Sequence, residues 1–171
     1  MIILGVDPGL ATIGVGVIEA DNGNYKALEY GSIITKPHQL IENRLAQIYD
    51  KLSEIIERHK PDCMAVEELF FNTNQKTEVA VAMARGVILL AGRKHGVDIY
   101  EYTPLQIKQS VVGYGRAEKK QVIYMTRVIL NLKADPKPDD TADALAAAIC
   151  HGNYMMHSGL MRKAELGTRN Q

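Results

Sequence analysis

Two hydrophobic patterns alternate along the chain and predict its secondary structure. Short apolar runs are typical of buried strands, and they predict strands near residues 2–7, 13–18, 25–35, 63–66 and 98–102. Longer stretches with an apolar residue every three or four positions are typical of helices. They predict helices over residues 39–59, 75–95, 105–112, 118–132 and 140–156.

The order of these elements predicts an α/β fold. The turn Asp21–Asn24 joins the second and third strands as a hairpin, and Gly14 and Gly16 let another element pack closely on one side. The later strands alternate with helices, which favours parallel pairing. We therefore expect a mixed five-stranded sheet with helices on both faces. One domain should cover residues 1–156, followed by a loose polar tail at 157–171.

The helix predicted over residues 75–95 differs from the others because its apolar residues cover much of its circumference. A helix of this kind must be buried on more than one side. We expect it either to be a central core helix or to contact a second subunit as well.

The composition indicates a protein of a reducing compartment with no membrane partner. No apolar stretch reaches the roughly 20 residues of a membrane span, and the N-terminus lacks the features of a signal peptide. We therefore expect a cytoplasmic location. Cys63 and Cys150 lie in apolar segments, where free buried thiols are expected. His59, His95 and His151 lie near predicted helix ends, where surface or capping roles are expected rather than metal binding.

Charge is balanced overall but unevenly distributed. The chain has 20 basic and 20 acidic residues, yet residues 71–137 hold 11 bases and 5 acids. Within them, residues 104–137 carry a net charge of +5 just before Asp140, which could hold phosphates. A solvated helix face would also explain these bases. They are Lys108, Arg116, Lys119, Lys120, Arg127, Lys133 and Lys137.

Four carboxylates are candidate metal ligands. Asp7 and Glu67 each end an apolar strand, and parallel pairing of those strands would bring both to one edge of the sheet. Asp140 and Asp143 lie three residues apart at a helix start, although helix capping would also explain that pair. Converging carboxylates repel one another unless a cation is bound, and oxygen ligands suit Mg²⁺ or Mn²⁺. Two such ions can hydrolyse a phosphodiester.

Two adjacent aromatic residues follow Glu67 in a predicted loop. Phe70 and Phe71 could stack on unpaired bases there. The alternative is that one of them, Phe71 in preference, packs into the core.

Six short segments, taken in order, resemble the RuvC-type Holliday-junction resolvases, a family with a ribonuclease H-like fold. The resemblance covers about residues 1–152. It implies metal-binding catalytic roles for the four carboxylates, DNA contacts for Lys108 and Lys119, and base stacking by Phe70. It also implies a homodimer that cuts a four-way junction symmetrically, with a branch-migration complex of the RuvA and RuvB type as partner. The segments are Gly5–Gly9, Ala65–Glu68, Ala84–Gly86, Lys108–Gly113, Ala117–Lys119 and Asp140–Ala146.

We therefore predict a Mg²⁺-dependent endonuclease that resolves Holliday junctions in DNA recombination and repair. Two ions per subunit are expected, and Mn²⁺ should substitute for Mg²⁺. The predicted DNA-binding residues are Phe70, Lys108, Arg116, Lys119 and Lys120.

Three alternatives remain open from the sequence. Sugar kinases and chaperone ATPases also open with a strand, an Asp and a Gly-containing turn, but they need further phosphate-binding hairpins and a longer chain. A ribonuclease could use the same acids. A junction-binding dimer without activity would use the acids only for capping and folding.

Overall fold

The computed structural model describes residues 1–69 and 75–168, and the side chains of residues 1–69 and 78–157. Every predicted strand and helix is present. The strands are β1 (Ile2–Asp7), β2 (Thr12–Asp21), β3 (Asn24–Ile34), β4 (Cys63–Glu67) and β5 (Asp98–Tyr102). The helices are α1 (Ile41–His59), α2 (Gln75–Lys94), α3 (Pro104–Val112), α4 (Lys119–Ile129) and α5 (Asp139–Thr168).

The strands form one mixed sheet in the order β3-β2-β1-β4-β5. β1 pairs antiparallel with β2, and β2 pairs antiparallel with β3, as the hairpin signal predicts. β1, β4 and β5 are parallel, with Val6 opposite Val66. The predicted mixed five-stranded sheet is therefore confirmed.

Helices cover both faces of the sheet. Leu4 and Val6 of β1 pack against α1 and α2 on one face, whereas Ile3 packs with α3, α4 and α5 on the other. Because side chains alternate along a strand, Gly5 and Asp7 share the face of Ile3. The alternation therefore directs the Asp7 carboxylate toward the layer that contains α5.

Glycines in the central strands let α5 approach the sheet closely. A Cβ atom on Gly5 would lie 1.9 Å from the Ala144 carbonyl oxygen, and one on Gly14 would lie 1.9 Å from the Asp140 carbonyl oxygen. The element for which Gly14 and Gly16 make room is thus α5. This contact fixes the first turns of α5 above β1 and β2.

The predicted end of the last helix, near residue 156, is too early. α5 continues to Thr168, so residues 157–168 are helical. This segment is polar but contains no proline, and Leu160–Leu166 are mostly strong helix formers. The domain boundary at residue 156 stays a prediction.

The environment of His151, which the sequence places near a helix end, differs from the prediction. His151 is fully buried in the interior of α5, and its Nδ1 lies 2.7 Å from the Tyr102 hydroxyl. Burial lowers the pKa of His151 and so favours the neutral imidazole. The expected surface or capping role is therefore wrong for this residue. Cys63 and Cys150 are buried free thiols, as expected.

One side of α2 packs on the core and the other side is exposed. Ala84 and Ile88 are fully buried against the sheet, whereas Val79, Met83 and Leu90 are about half exposed. Within the described part of this chain, α2 is therefore buried on one side and not on several. Among the described helices, none is both long enough and apolar enough to cross a membrane.

Candidate active site

The four candidate carboxylates are brought to one end of the sheet. Val6 pairs with Val66 in the parallel β1–β4 ladder, so Asp7 and Glu67 follow side by side at the carboxyl ends of these strands. The close approach of α5 to Gly14 brings Asp140, and with it Asp143, toward the same end. Three separate chain segments therefore supply the acids, which is the arrangement that the strand-end pattern predicts.

The electrostatics of Asp7 and Glu67 show how closely these acids interact. Burial, together with the charges of Glu67, Asp143 and Asp140, raises the pKa of Asp7 from 3.8 to about 8. Burial and the charge of Asp143 raise the pKa of Glu67 from 4.5 to about 7. Both carboxyls therefore resist ionisation at neutral pH unless further positive charge is supplied.

Lys119 is the cation that contacts this cluster. Its Nζ lies 3.0 Å from Oδ2 of Asp143 and 3.7 Å from Oδ2 of Asp139. Burial acts to lower the pKa of Lys119, but the bond to Asp143 and the neighbouring carboxylates raise it overall. Burial raises the pKa of Asp143 in spite of the opposing effect of Lys119. One ammonium group thus compensates only part of the negative charge.

A cavity of about 220 Å³ lies beside the acids. Polar groups of Glu67, Asp143, Lys108 and Lys119 line it, and its remaining lining is apolar. Lys108 comes from α3 and Lys119 from the first turn of α4, so the helices that follow β5 bring two cations to the acids. The cavity therefore offers both carboxylate oxygens and phosphate-binding ammonium groups.

The other predicted DNA-binding residues lie away from this cavity or outside the described residues. Arg116 and Lys120 are exposed and do not line it. Phe70 and Phe71 lie outside the described residues. Asp139, the first residue of α5, forms an ion pair with Lys119, and the sequence favours a capping role over metal binding for it.

The donor atoms at this site fit a hard divalent cation. Carboxylate oxygens are the ligands that Mg²⁺ and Mn²⁺ prefer. Among the described side chains, no three His, Cys, Asp or Glu residues lie so arranged that they could hold a metal ion by themselves. Mg²⁺ does not require one, because it keeps several waters and is often held by one or two carboxylates and substrate phosphates. Burial and the neighbouring acids raise the pKa values of Asp7 and Glu67, so a cation bound beside them would favour their ionised forms.

Comparison with known proteins decides the family. The family model described as crossover junction endodeoxyribonuclease RuvC matches residues 3–151. This chain belongs to the RuvC family. RuvC proteins are metal-dependent nucleases, which agrees with the acid cluster and excludes the kinase and ATPase alternatives.

Individual RuvC proteins match almost the whole chain. RuvC of Alkaliphilus metalliredigens is 54% identical over 159 residues, which cover 93% of this chain and 94% of that protein. RuvC of Halothermothrix orenii is 56% identical over 153 residues, or 90% of this chain and 93% of that protein. A solved structure of Thermus thermophilus RuvC in complex with a Holliday junction substrate is 35% identical with a TM-score of 0.88, covering 92% of this chain and 96% of that chain. The ribonuclease H-like fold implied by the motifs is thereby confirmed.

Proposed function

We propose that this RuvC protein resolves Holliday junctions by hydrolysing two symmetry-related phosphodiesters at the acid cluster. The observation that carries the proposal is the meeting of Asp7, Glu67, Asp140 and Asp143 at one end of the sheet, with too little positive charge among them. We assign these four residues to metal binding. The metal is Mg²⁺, with two ions per subunit, and Mn²⁺ should substitute for it.

Each acid has a distinct place in this assignment. Asp7 interacts electrostatically with Glu67 and with both α5 acids, so we assign it the central metal-binding role. Glu67 and the Asp140–Asp143 pair supply the remaining protein ligands in this assignment. When bound, the two divalent ions activate the attacking water and stabilise the leaving 3′ oxygen.

The cations next to the acids hold the DNA backbone in this proposal. Lys108 and Lys119 line the cavity that contains Glu67 and Asp143, so they would contact the phosphates nearest to the cut. Arg116 and Lys120 are exposed near the start of α4 and would contact phosphates farther along the strand. Phe70 is assigned to stacking on an unpaired base near the crossover.

The exposed apolar side of α2 supports a homodimer. Val79, Met83, Gly86 and Leu90 recur at helical spacing on this side, and a Cβ on Gly86 would meet no atom within 4 Å. A second copy of α2 could pack against this stripe about a twofold axis. Such a dimer would present two identical sites to a nearly symmetric junction.

The cellular setting follows from the DNA substrate. We place the protein in the cytoplasm, where bacterial chromosomal DNA lies. A branch-migration complex of the RuvA and RuvB type is the partner that would deliver junctions to it.

The direct test is incubation with a synthetic four-way DNA junction, with and without Mg²⁺, and mapping of both incisions. We expect two symmetric cuts that require Mg²⁺ and are lost in Asp7→Asn, which should still bind the junction. Cutting that persists in Asp7→Asn would refute the assignment of Asp7. A four-way RNA junction of the same sequence should remain largely uncut, and equal cutting of RNA would favour the ribonuclease alternative.

A further inference from the structure

A second groove borders the acid cluster, on the other face of the sheet from Lys119. Its volume is about 630 Å³, and Asp140 lines it together with the loop after β1, the start of α2 and Arg44. Arg44 belongs to α1, which packs on the sheet face opposite to α4. The groove is therefore continuous with the acids but approaches them from the opposite side.

Arg44 is held in place by a chain of hydrogen bonds. Its Nε donates to the hydroxyl of Thr35 at 2.8 Å, and that hydroxyl donates to the carbonyl oxygen of Leu10 at 2.6 Å. The Thr35 amide also donates to the carbonyl oxygen of Ala11 at 3.0 Å. Thr35 is almost fully buried, so the chain is shielded from water. The guanidinium is thereby tied to Leu10, in the loop that directly follows Asp7.

No acid among the described side chains balances the charge of Arg44. Over residues 1–69 and 78–157, the hydrogen bond to Thr35 is the interaction found for its side chain, and no carboxylate forms an ion pair with it. The sequence of residues 70–77 contains no Asp or Glu that could do so. Arg44 thus differs from Arg58 on the same helix, which pairs with Glu29 at 3.2 Å.

Apart from Arg44, the groove lining is mostly apolar, with Thr12 as its neutral polar residue and Asp140 as its acidic group. Gly9, Pro37, Ala80 and Val81 leave room for a ligand next to the guanidinium. A planar guanidinium with its Nε already engaged presents its outer N–H donors as a pair, which suits a phosphate group. A phosphate in this groove would lie between Arg44 and the end of the acid cluster.

We propose that Arg44 binds a backbone phosphate of the junction DNA in this groove. The strand that enters the site would then be held by α3 and α4 on one face of the sheet and by α1 on the other. Arg44 is a positioning residue, since it contacts the backbone beside the acids rather than the reacting phosphate. The proposal rests on the proposed function, because it assumes that DNA reaches the acid cluster.

The test compares junction binding by wild type, Arg44→Gln and Arg58→Gln in EDTA, over a range of salt concentrations. Each phosphate contact contributes about 0.9 to the slope of log affinity against log salt. Arg44→Gln should lower the magnitude of this slope by about 0.9 per lost contact. The ratio of wild-type to mutant affinity should therefore fall about threefold per contact when the salt concentration is raised from 50 to 200 mM. Arg58→Gln removes the same charge from α1 and should leave the slope unchanged.

Two results would overturn the proposal for Arg44. One is a salt slope for folded Arg44→Gln equal to that of wild type. If Arg44→Gln does not fold, wild-type protein is treated with an arginine-specific dicarbonyl, and modification is read by mass spectrometry. Junction DNA should then slow modification of Arg44 and not of Arg58, and equal rates with and without DNA would be the second contrary result.

The proposed function has a separate outcome in the same experiment. Wild-type protein is given Mg²⁺ and the junction in parallel. Cutting by wild type together with an unchanged Arg44→Gln slope would reject only the Arg44 site. Binding without any cutting by wild type would reject the proposed function itself.

Discussion

Replacing Asp7 by Asn should make the metal-free protein more stable at neutral pH. The pKa of Asp7 is raised from 3.8 to about 8 by burial and by the neighbouring acids, so the folded protein must hold a proton that the unfolded chain releases. At about 1.4 kcal/mol per pKa unit, this costs up to about 4 kcal/mol at pH 7. Asn resembles the neutral carboxyl and removes the cost. Because amide and hydroxyl differ in size and donors, we expect a gain of at least about 2 kcal/mol, or about 4–8 °C in Tm.

The gain in stability should depend on pH. Below pH 3.8 the carboxyl is protonated in both states, so the difference between Asp7→Asn and wild type should vanish. The difference should grow as the pH rises toward 8, because only the unfolded chain is then ionised. Denaturant unfolding in EDTA at several pH values measures this difference in stability. Asp50→Asn, at an exposed position of α1, is the control. A mutant less stable than wild type at pH 7, or a gain independent of pH, would refute the reasoning.

Three further substitutions test other parts of the structure. Lys119→Ala should weaken junction binding and lower the salt slope by about 0.9 per lost phosphate contact in a titration, and an unchanged slope would remove Lys119 from the DNA interface. Gly14→Ala places a Cβ 1.9 Å from the Asp140 carbonyl oxygen, so it should destabilise the fold by about 1–3 kcal/mol in denaturant unfolding and reduce cutting; a fully active, equally stable variant would contradict the close packing of α5. Met83→Asp should shift the protein from dimer to monomer in sedimentation, whereas a stable dimer would exclude the exposed side of α2 as interface.

The sheet and the acid cluster were predictable because their signals are local. An apolar run that ends in a carboxylate predicts both a buried strand and an acid at its end, and this holds for Asp7 and Glu67. Gly14 and Gly16 predict that another element packs closely against β2, but they do not indicate which element it is. That α5 is this neighbour follows only from the fold, because 126 residues separate Gly14 from Asp140.

Features that depend on contacts between distant segments were not predictable. The burial of His151 involves contacts with Tyr100 and Tyr102, which come 51 and 49 residues earlier. The position of Arg44 depends on Thr35, which in turn contacts Leu10, 25 residues earlier. An Arg on an amphipathic helix gives no sign of this in the sequence, since its neighbours on α1 resemble any solvated face.

The most direct test of the metal site is anomalous diffraction at the manganese edge from crystals grown or soaked in Mn²⁺. The acid cluster predicts peaks within coordination distance of Asp7 and Glu67, with further contact to the α5 acids, and loss of these peaks in Asp7→Asn. Mn²⁺ bound only at other places, or unchanged peaks in Asp7→Asn, would contradict the claim that these carboxylates meet in order to hold divalent metal.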